Sequence, residues 1–441
     1  MKSRNLLIAA VLLAALSGVV YWAKKNPQST VTSSTTTPSP TLVAIPDSQI
    51  QSINLKKKNS PELTLQKQNN KWVITSPERV ATDQDAAGGV ASALTSITAD
   101  SVVEDKATDL NKFGLQNPSL TVTVHQKDGK TQNIEFGDDL PTGSLVYANV
   151  NGGPKVYCVF SSAKTSFDKS VNDLRDKRLL SFDSNTLTRL ELSSGKADIE
   201  FGKNNQNDWT ILKPASYRAD NFQVEELLRK LTDAKMDVSG TPDDAKKADA
   251  TFASGQPVGT AKATDASGTQ TLQIRKVKDD YYAKSSVVPG AYKVSSDLGK
   301  AMEKSLDDFR NKKIFDFGFS DPNKIDIQQG ASTKTLTRSG SDWKQNAQTM
   351  DAAFVQSFID KLRDLSATKF LTEGFTEPVA TITVTSNDGK RTEKVEFSKV
   401  GNGYIARRVN EPTLYQLDGK AINDMLDASN AIKPAQSTSK K

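Results

Sequence analysis

The sequence predicts an α+β fold of tandem repeats of about 135 residues, each an antiparallel β-meander with hairpins and two helices, behind an N-terminal transmembrane helix. Three observations carry this prediction. The amino terminus holds an uncharged apolar run. A tryptophan returns with a steady period, as Trp72 in KWVITSP, Trp209 in DWTILKP and Trp343 in DWKQN, 137 and 134 residues apart. A mixed acidic, aromatic and basic stretch occurs twice, DLRDKRLLSFD at 173–183 and DFRNKKIFDFG at 308–318.

The apolar run from Leu6 to Ala23, LLIAAVLLAALSGVVYWA, is eighteen residues without a charge, close to the minimum that spans a hydrocarbon core as a helix. Tyr21 and Trp22 stand where amphipathic rings favour the headgroup layer. A cleaved signal peptide has a shorter core and a small-residue cleavage site, so residues 1–25 read as an uncleaved anchor. No cysteine follows the run, which excludes a lipid anchor. Residues 26–46 hold 14 Ser, Thr or Pro in 21 positions and no charge, the composition of a solvated tether. The expected location is a bacterial inner membrane, single-pass, with the body in the periplasm or extracytoplasmic space.

The body divides into repeat units 47–183, 184–318 and 319–434, the last incomplete, with a tail at 435–441. Alternating runs SINLKK, LTRLEL and NKIDIQ precede each Trp by 16 to 19 residues, as expected for strands with one buried face. Asp83, Asp220 and Asp351 follow as helix N-caps, each worth about 1 kcal/mol. A repeated ligand site is the alternative for these three carboxylates. Helical stripes come next: Val90, Leu94 and Ile97; Val224, Leu227, Leu228 and Leu231; Phe354, Val355, Phe358, Ile359, Leu362 and Leu365. An aromatic-to-proline entry (Phe113 to Pro118, Phe252 to Pro257, Phe375 to Pro378) then leads into hairpins with turns at Asp128-Gly129, Ser267-Gly268 and Asp388-Gly389. A second helix closes each unit, with Phe167, Val171 and Leu174 spaced like Met302, Leu306 and Phe309.

Composition excludes much chemistry. The formal charge is +6, but seven cations lie in the terminal segments, leaving residues 26–432 at −1. No basic body remains to hold a phosphate backbone, so nucleic acid is not an expected partner. One cysteine, Cys158, and one histidine, His125, cannot build a metal cluster, and no cofactor is expected. S-x-x-K recurs at Ser161, Ser166 and Ser193, and acidic pairs occur at Asp138-Asp139 and Asp279-Asp280. The first is frequent by chance in a chain rich in Ser and Lys. The second lies in turn-like polar surroundings that do not raise a carboxylate pKa. No enzymatic activity is expected.

The repeated stretches read as the last turn of a closing helix plus a connector into the next unit. Asp173 with Lys177 and Asp308 with Lys312 form i to i+4 pairs, and Arg175, Lys177, Arg178, Arg310, Lys312 and Lys313 place cations at a helix C-terminus. These six are also the candidate partner-binding residues, if the clusters instead face an acidic partner or membrane.

The W-x-I-x-x-P meander, the Asp-started helix, the F-G-L-x-x-P entry at Phe113 to Pro118 and the R-D-K connector resemble the bacterial domain of unknown function 4340. The resemblance covers nearly all of residues 47 to 434 and is weakest in the third unit, where no proline follows Trp343. It implies no catalytic residues. It does imply a membrane-anchored accessory encoded beside ABC transporter components of the gliding-motility type. The expected function is thus a non-catalytic scaffold whose partners are the membrane, through Leu6 to Ala23, and membrane transport proteins. The alternative is a module that binds an envelope polymer or other ligand, with a hydrolase ranked behind it.

Overall fold

Residues 39–141, 143–205, 207–238, 242–318 and 322–436 are described by the computed structural model of the chain. The apolar run at 6–23 lies outside them. Among the described residues no helix is long and apolar enough to cross a membrane.

The fold is α+β, with three large antiparallel sheets and nine helices among the described residues. The chain divides between Asp176 and Lys177 into two compact units, the first holding one of the large sheets and the second two. In the first sheet the strands lie in the order Lys71–Ser76, Leu63–Gln68, Ile50–Lys57, Leu120–Gln126, Thr131–Asp139, Leu145–Val150, Val156–Phe160 and Ser101–Glu104. A three-stranded meander is thus zipped to a four-stranded one by antiparallel pairing of Ile50–Lys57 with Leu120–Gln126. The second and third sheets repeat this plan, joined through Arg189–Ser194 with Gln256–Asp265 and through Lys324–Gln329 with Pro378–Ser386. Alternation of apolar and polar residues sends one face of each sheet inward, so Ile53, Leu55, Val122 and Val124 are all buried in the first.

Helices cover the inner faces. The first of each repeat, α1 (Gln84–Ala93), α4 (Asn221–Thr232) and α8 (Ala352–Asp364), begins at the expected aspartate. Asp83 accepts from the Asp85 and Ala86 N–H groups, Asp220 from Gln223 and Asp351 from Ala353. Capping therefore accounts for the three carboxylates, satisfying donors that the first helical turn leaves orphaned. Trp72, Trp209 and Trp343 are equally buried, at 5, 4 and 5 % exposure, one in each of three separate apolar cores.

The closing helix differs from the single element expected. In the first repeat it is two short pieces, α2 (Ser161–Phe167) and α3 (Val171–Leu174); in the second, α6 (Ser296–Met302) and α7 (Leu306–Phe309). Ser170 and Ser305 interrupt it by starting new capping boxes with Asp173 and Asp308. In the third repeat α9 (Gly419–Ala431) runs unbroken through Ser429. Its next capping-box position is Ile432, not Asp, so no second start is encoded. The second repeat also carries an additional helix, α5 (Pro242–Ser254), in which the expected strand-entry residue Phe252 lies buried.

Two boundaries shift. The tether ends before residue 41: Thr41–Val43 forms a strand pairing with Ile97–Thr98, and Val43 and Ile45 are buried in the first core. Composition hid this because TLVAIP is short and preceded by a long polar tract. The third repeat, expected to be incomplete, closes as the others do. Asp83 N–H donates to Leu174 O and Asp176 N–H to Ala81 O; Asp220 N–H to Phe309 O and Asn311 N–H to Arg218 O; Asp351 N–H to Lys433 O and Ala435 N–H to Thr349 O.

Replacing any of the three tryptophans by alanine removes a core side chain and is expected to cost about 3–5 kcal/mol. Calorimetry of the full chain checks this: Trp72→Ala lowers one transition, whereas Trp209→Ala and Trp343→Ala lower the other.

Candidate functional site

The connectors are where the sequence places its candidate residues, and their backbone is extended rather than helical. Helices α3 and α7 stop at Leu174 and Phe309, and Arg175 and Arg310 take ψ of 145° and 138°. The i to i+4 pairing of Asp173 with Lys177 and Asp308 with Lys312 therefore has no helix to sit on. Both carboxylates turn back instead. Asp173 accepts from Ser170 N–H at 2.7 Å and Oγ at 2.6 Å, and Asp308 from Ser305 N–H and Oγ, each at 2.7 Å. The Ser305 hydroxyl and amide, followed by the charge of Lys312, hold the Asp308 carboxyl below its ordinary range.

Each connector serves two repeats in succession. Arg175 and Arg310 bridge to Thr82 and Ala219, closing the repeat behind them. Lys177 O then accepts from Met236 N–H, and Lys312 O from Ala367 N–H, at the far end of the following repeat's first helix. Leu179, Leu180 and Phe182 enter the second core, and Ile314, Phe315 and Phe317 the third. This explains two copies of the motif for three repeats: it is written only where one repeat hands over to another.

The six cations part company. Arg178, Lys312 and Lys313 are exposed, while Arg175, Lys177 and Arg310 are half-buried. The Lys313 ammonium caps a helix C-terminus, but it is that of α8 in the next repeat, by donating to Arg363 O at 3.0 Å. Arg175 has its Nε buried without a hydrogen-bond partner among the described residues. Lys312 and Arg310 line an open basin of about 560 Å³ with Lys196, Lys300, Lys304 and Glu303.

Arg310 is the structural centre of the second connector. Its guanidinium lies 4.1 Å from the Tyr217 ring centroid and 3.7 Å from that of Phe370, and its Nη2 donates to Thr413 Oγ1 at 2.8 Å. With only 10 % of its side chain exposed, it joins an aromatic ring of the second repeat to one of the third. Cation–π contacts of this kind contribute about 0.5–2 kcal/mol as they are desolvated.

Beside it runs a charged network that the sequence reading missed. Arg218 donates through Nη2 to Lys313 O at 2.6 Å and Tyr415 Oη at 3.2 Å, and through Nε to Glu411 Oε2 at 3.3 Å. Tyr415 Oη donates to Glu411 Oε2 at 2.8 Å. Arg408 donates to Glu411 Oε1 at 2.7 Å, to Glu393 Oε1 at 2.9 Å and to Ile314 O. Glu393 in turn accepts the Asp316 N–H. Burial alone would raise the Glu411 carboxyl, but the charges of Arg218 and Arg408 outweigh it and hold the group below its ordinary range. Burial pushes the Tyr415 phenol up. Nothing in sequence proximity links Arg218 to Glu411, 193 residues on. One signal was available: by the closure hydrogen bonds Arg218 occupies the place of Ala81 and Thr349, so a residue-by-residue alignment of the repeats marks it as different.

The remaining chemistry-bearing singletons sit in strands. Cys158 is 5 % exposed, and burial raises its thiol pKa, which disfavours the reactive thiolate. His125 lies in Leu120–Gln126 with Nδ1 3.1 Å from Thr131 Oγ1. Among the described residues no group of three His, Cys, Asp or Glu side chains is placed to hold a metal ion.

The model of the family described as Domain of unknown function (DUF4340) matches residues 72–251 and again 209–382. The chain belongs to this family. The two DUF4340 matches begin at Trp72 and Trp209, and each spans one connector, so the handover segment lies inside the family pattern. No curated protein and no solved structure matches the chain.

Arg408→Ala takes from Glu393, 4 % exposed, its nearer and more buried cation, leaving only Arg391 at 3.7 Å among the described residues, and is expected to destabilise the second unit by about 3 kcal/mol. Because the Glu411 pKa is depressed on folding, its contribution is complete above the ordinary glutamate range and is lost as pH falls through the folded value. Glu411→Gln should therefore flatten the loss of thermal midpoint on acidification below about pH 4.5. A separate comparison divides the cations. Arg310→Ala should lower the second unit's midpoint clearly, whereas exposed Lys312→Ala should stay within about 0.5 kcal/mol of wild type by urea titration.

Proposed function

We propose that the chain is a non-catalytic scaffold, anchored in the membrane by Leu6 to Ala23, with its repeats outside the cytoplasm as an accessory of a membrane transport system of ABC type. The observation that carries this reading is the joint formed by Arg218, Arg310, Arg408, Glu411 and Tyr415. Buried ion pairs add little net stability over apolar packing, but they reward one geometry and penalise others. A joint of that kind suits a protein whose task is to hold domains at a set angle for a partner. The surface supports the same choice over a polymer-binding module. Among the described residues the exposed aromatic rings are Phe160 and Phe222, one in each unit, and not a row on which sugar rings stack.

Three measurements on the full chain test the proposal. A reporter that works only outside the cytoplasm, fused after residue 46, should be active, and the chain should stay in membranes washed with high salt. In-membrane crosslinking should recover transport proteins, and Arg218→Ala/Arg310→Ala, which loosens the joint but leaves each apolar core intact, should reduce that recovery. A soluble form beginning near residue 24, or recovery indifferent to the joint, would overturn it.

A further inference from the structure

The repeats act as internal references for one another, and the first departs from the second beside its tryptophan. In the second repeat the Trp209 indole N–H donates to Glu225 Oε1 at 2.5 Å, with the Lys203 ammonium 4.9 Å from the ring centroid. The first repeat has the same frame. Trp72 N–H donates to Gln84 Oε1 at 2.8 Å as Trp209 N–H donates to Asn221 Oδ1 at 2.8 Å, and the Lys67 ammonium stands 5.2 Å from the Trp72 ring. Counting from the capping aspartates Asp83 and Asp220, the place of Glu225 is taken by Gly88, that of Glu226 by Gly89 and that of Arg229 by Ser92.

The carboxylate is therefore missing, and the room it would fill is open. Trp72, Gly88, Gly89, Ser92, Lys67 and Asp85 line a basin of about 510 Å³. Trp72 is 5 % exposed, and its Nε1 has no hydrogen-bond partner among the described residues. A Cβ added at Gly88 or Gly89 would meet nothing within 4 Å, so packing within the chain does not call for either glycine. Yet two glycines inside a ten-residue helix weaken it, each by a backbone-entropy cost that alanine would avoid. In the third repeat the Trp343 indole also has no hydrogen-bond partner among the described residues, but the helix still carries side chains at these places, Gln356, bonded to Asp360 at 2.9 Å, and Ser357, so the bare helix face is what sets the first repeat apart.

We propose that this basin is a docking site for an acidic side chain of a partner protein, whose carboxylate accepts the Trp72 indole N–H as Glu225 accepts that of Trp209. Bare helix backbone at Gly88 and Gly89 lets a partner segment approach as closely as the missing side chains would. Lys67, 2.7 Å from Asp47, stands against the carboxylates of Asp47 and Asp85 in the lining, so recognition of the acidic group rests on the indole N–H and not on net charge. Asp85 on the rim then favours a basic residue next to the acidic one, the arrangement that Glu226 and Arg229 make in the second repeat at 2.7 Å. The choice of a protein as the ligand rests on the scaffold reading.

The test uses the full chain in membranes with the photo-crosslinking residue p-benzoylphenylalanine at Ser92, followed by sequencing of the linked peptide. The expected product is one partner peptide linked within about one helical turn, 3.6 residues, of a Glu or Asp. Changing that residue to its amide should cut the yield at least tenfold, and so should Gly88→Glu, which supplies the carboxylate in cis. Gly88→Glu should also raise the first unit's midpoint by roughly 2–4 °C, as expected for replacing a mid-helix glycine, so its loss of crosslinking is not a folding defect. Absence of a linked peptide, a peptide with no nearby carboxylate, an unchanged yield in Gly88→Glu, or earlier melting of that variant overturns the proposal. Failure of the scaffold reading looks different, since it is read from membrane retention and from joint variants in the other unit.

Discussion

Everything in each repeat depends on a pair of backbone hydrogen bonds that returns the end of the closing helix to the segment before the first helix. In the first repeat these are Asp83 N–H to Leu174 O and Asp176 N–H to Ala81 O, about ninety residues apart in the chain. The aspartate in this pair is also the N-cap of the first helix, so one residue fixes both where the helix starts and where the repeat ends. Its side chain satisfies orphan donors of the helix while its main chain satisfies an orphan acceptor of another. With both ends tied, the helices have only the inner face of the sheet to cover, and the tryptophan fills the space between. The three cores are then separate apolar clusters, each sealed by its own closure.

Closure leaves the connectors free to specify what lies between repeats, and there charge takes over from apolar packing. Arg310 leaves the closing helix of one repeat and ends between rings of two. Arg218 and Arg408 share Glu411, and each also reaches a backbone carbonyl of the connector, Lys313 O or Ile314 O. Each guanidinium thus reads main-chain position as well as charge, which a hydrophobic contact cannot do. Desolvating such groups is costly unless every partner is in place, so the joint tolerates little sliding. Exposed Lys312 carries no such constraint, although it follows Arg310 by only two positions in sequence.

Much of the fold was legible because its signals are local. Alternation gave the strands, the i, i+3, i+4 stripes gave the first helices, although Ile97 of the first stripe lies past the helix in the strand Ile97–Thr98, and Asp83, Asp220 and Asp351 gave their starts. The break in the closing helix was encoded too, in Ser170-x-x-Asp173 and Ser305-x-x-Asp308, but the same aspartates also fit forward i to i+4 pairs. The capping box won because its bonds form within one turn, whereas the forward pairs need a helix that the extended Arg175 and Arg310 end. The strand at Thr41–Val43 was masked by a polar neighbourhood, since two adjacent apolar residues, Leu42 and Val43, show no period beside a Ser/Thr/Pro tract. The charged joint was legible at one member alone, Arg218, which differs from Ala81 and Thr349 at the same place of the other repeats. Its partners lie far apart in sequence, and periodicity does not distinguish a surface arginine from one that a later repeat will bury.

Three copies in one chain supply the missing comparison. Positions where all three agree, the capping aspartate and the buried tryptophan, are those the closure requires. Positions where they differ are under a different demand. Ala81, Arg218 and Thr349 occupy one such place, and only the copy that must meet a following repeat within its own compact unit carries the arginine. Gly88, Glu225 and Gln356 occupy another, and there the first copy has no side chain at all, at a cost in helix propensity, while only the second bonds its tryptophan's indole N–H among the described residues. A substitution that weakens its own repeat, with no steric reason inside the chain, points to a demand from outside that repeat. By the same reasoning the exposed cations of the connectors are weak candidates for recognition, because their presence follows the handover between repeats and asks nothing of a partner.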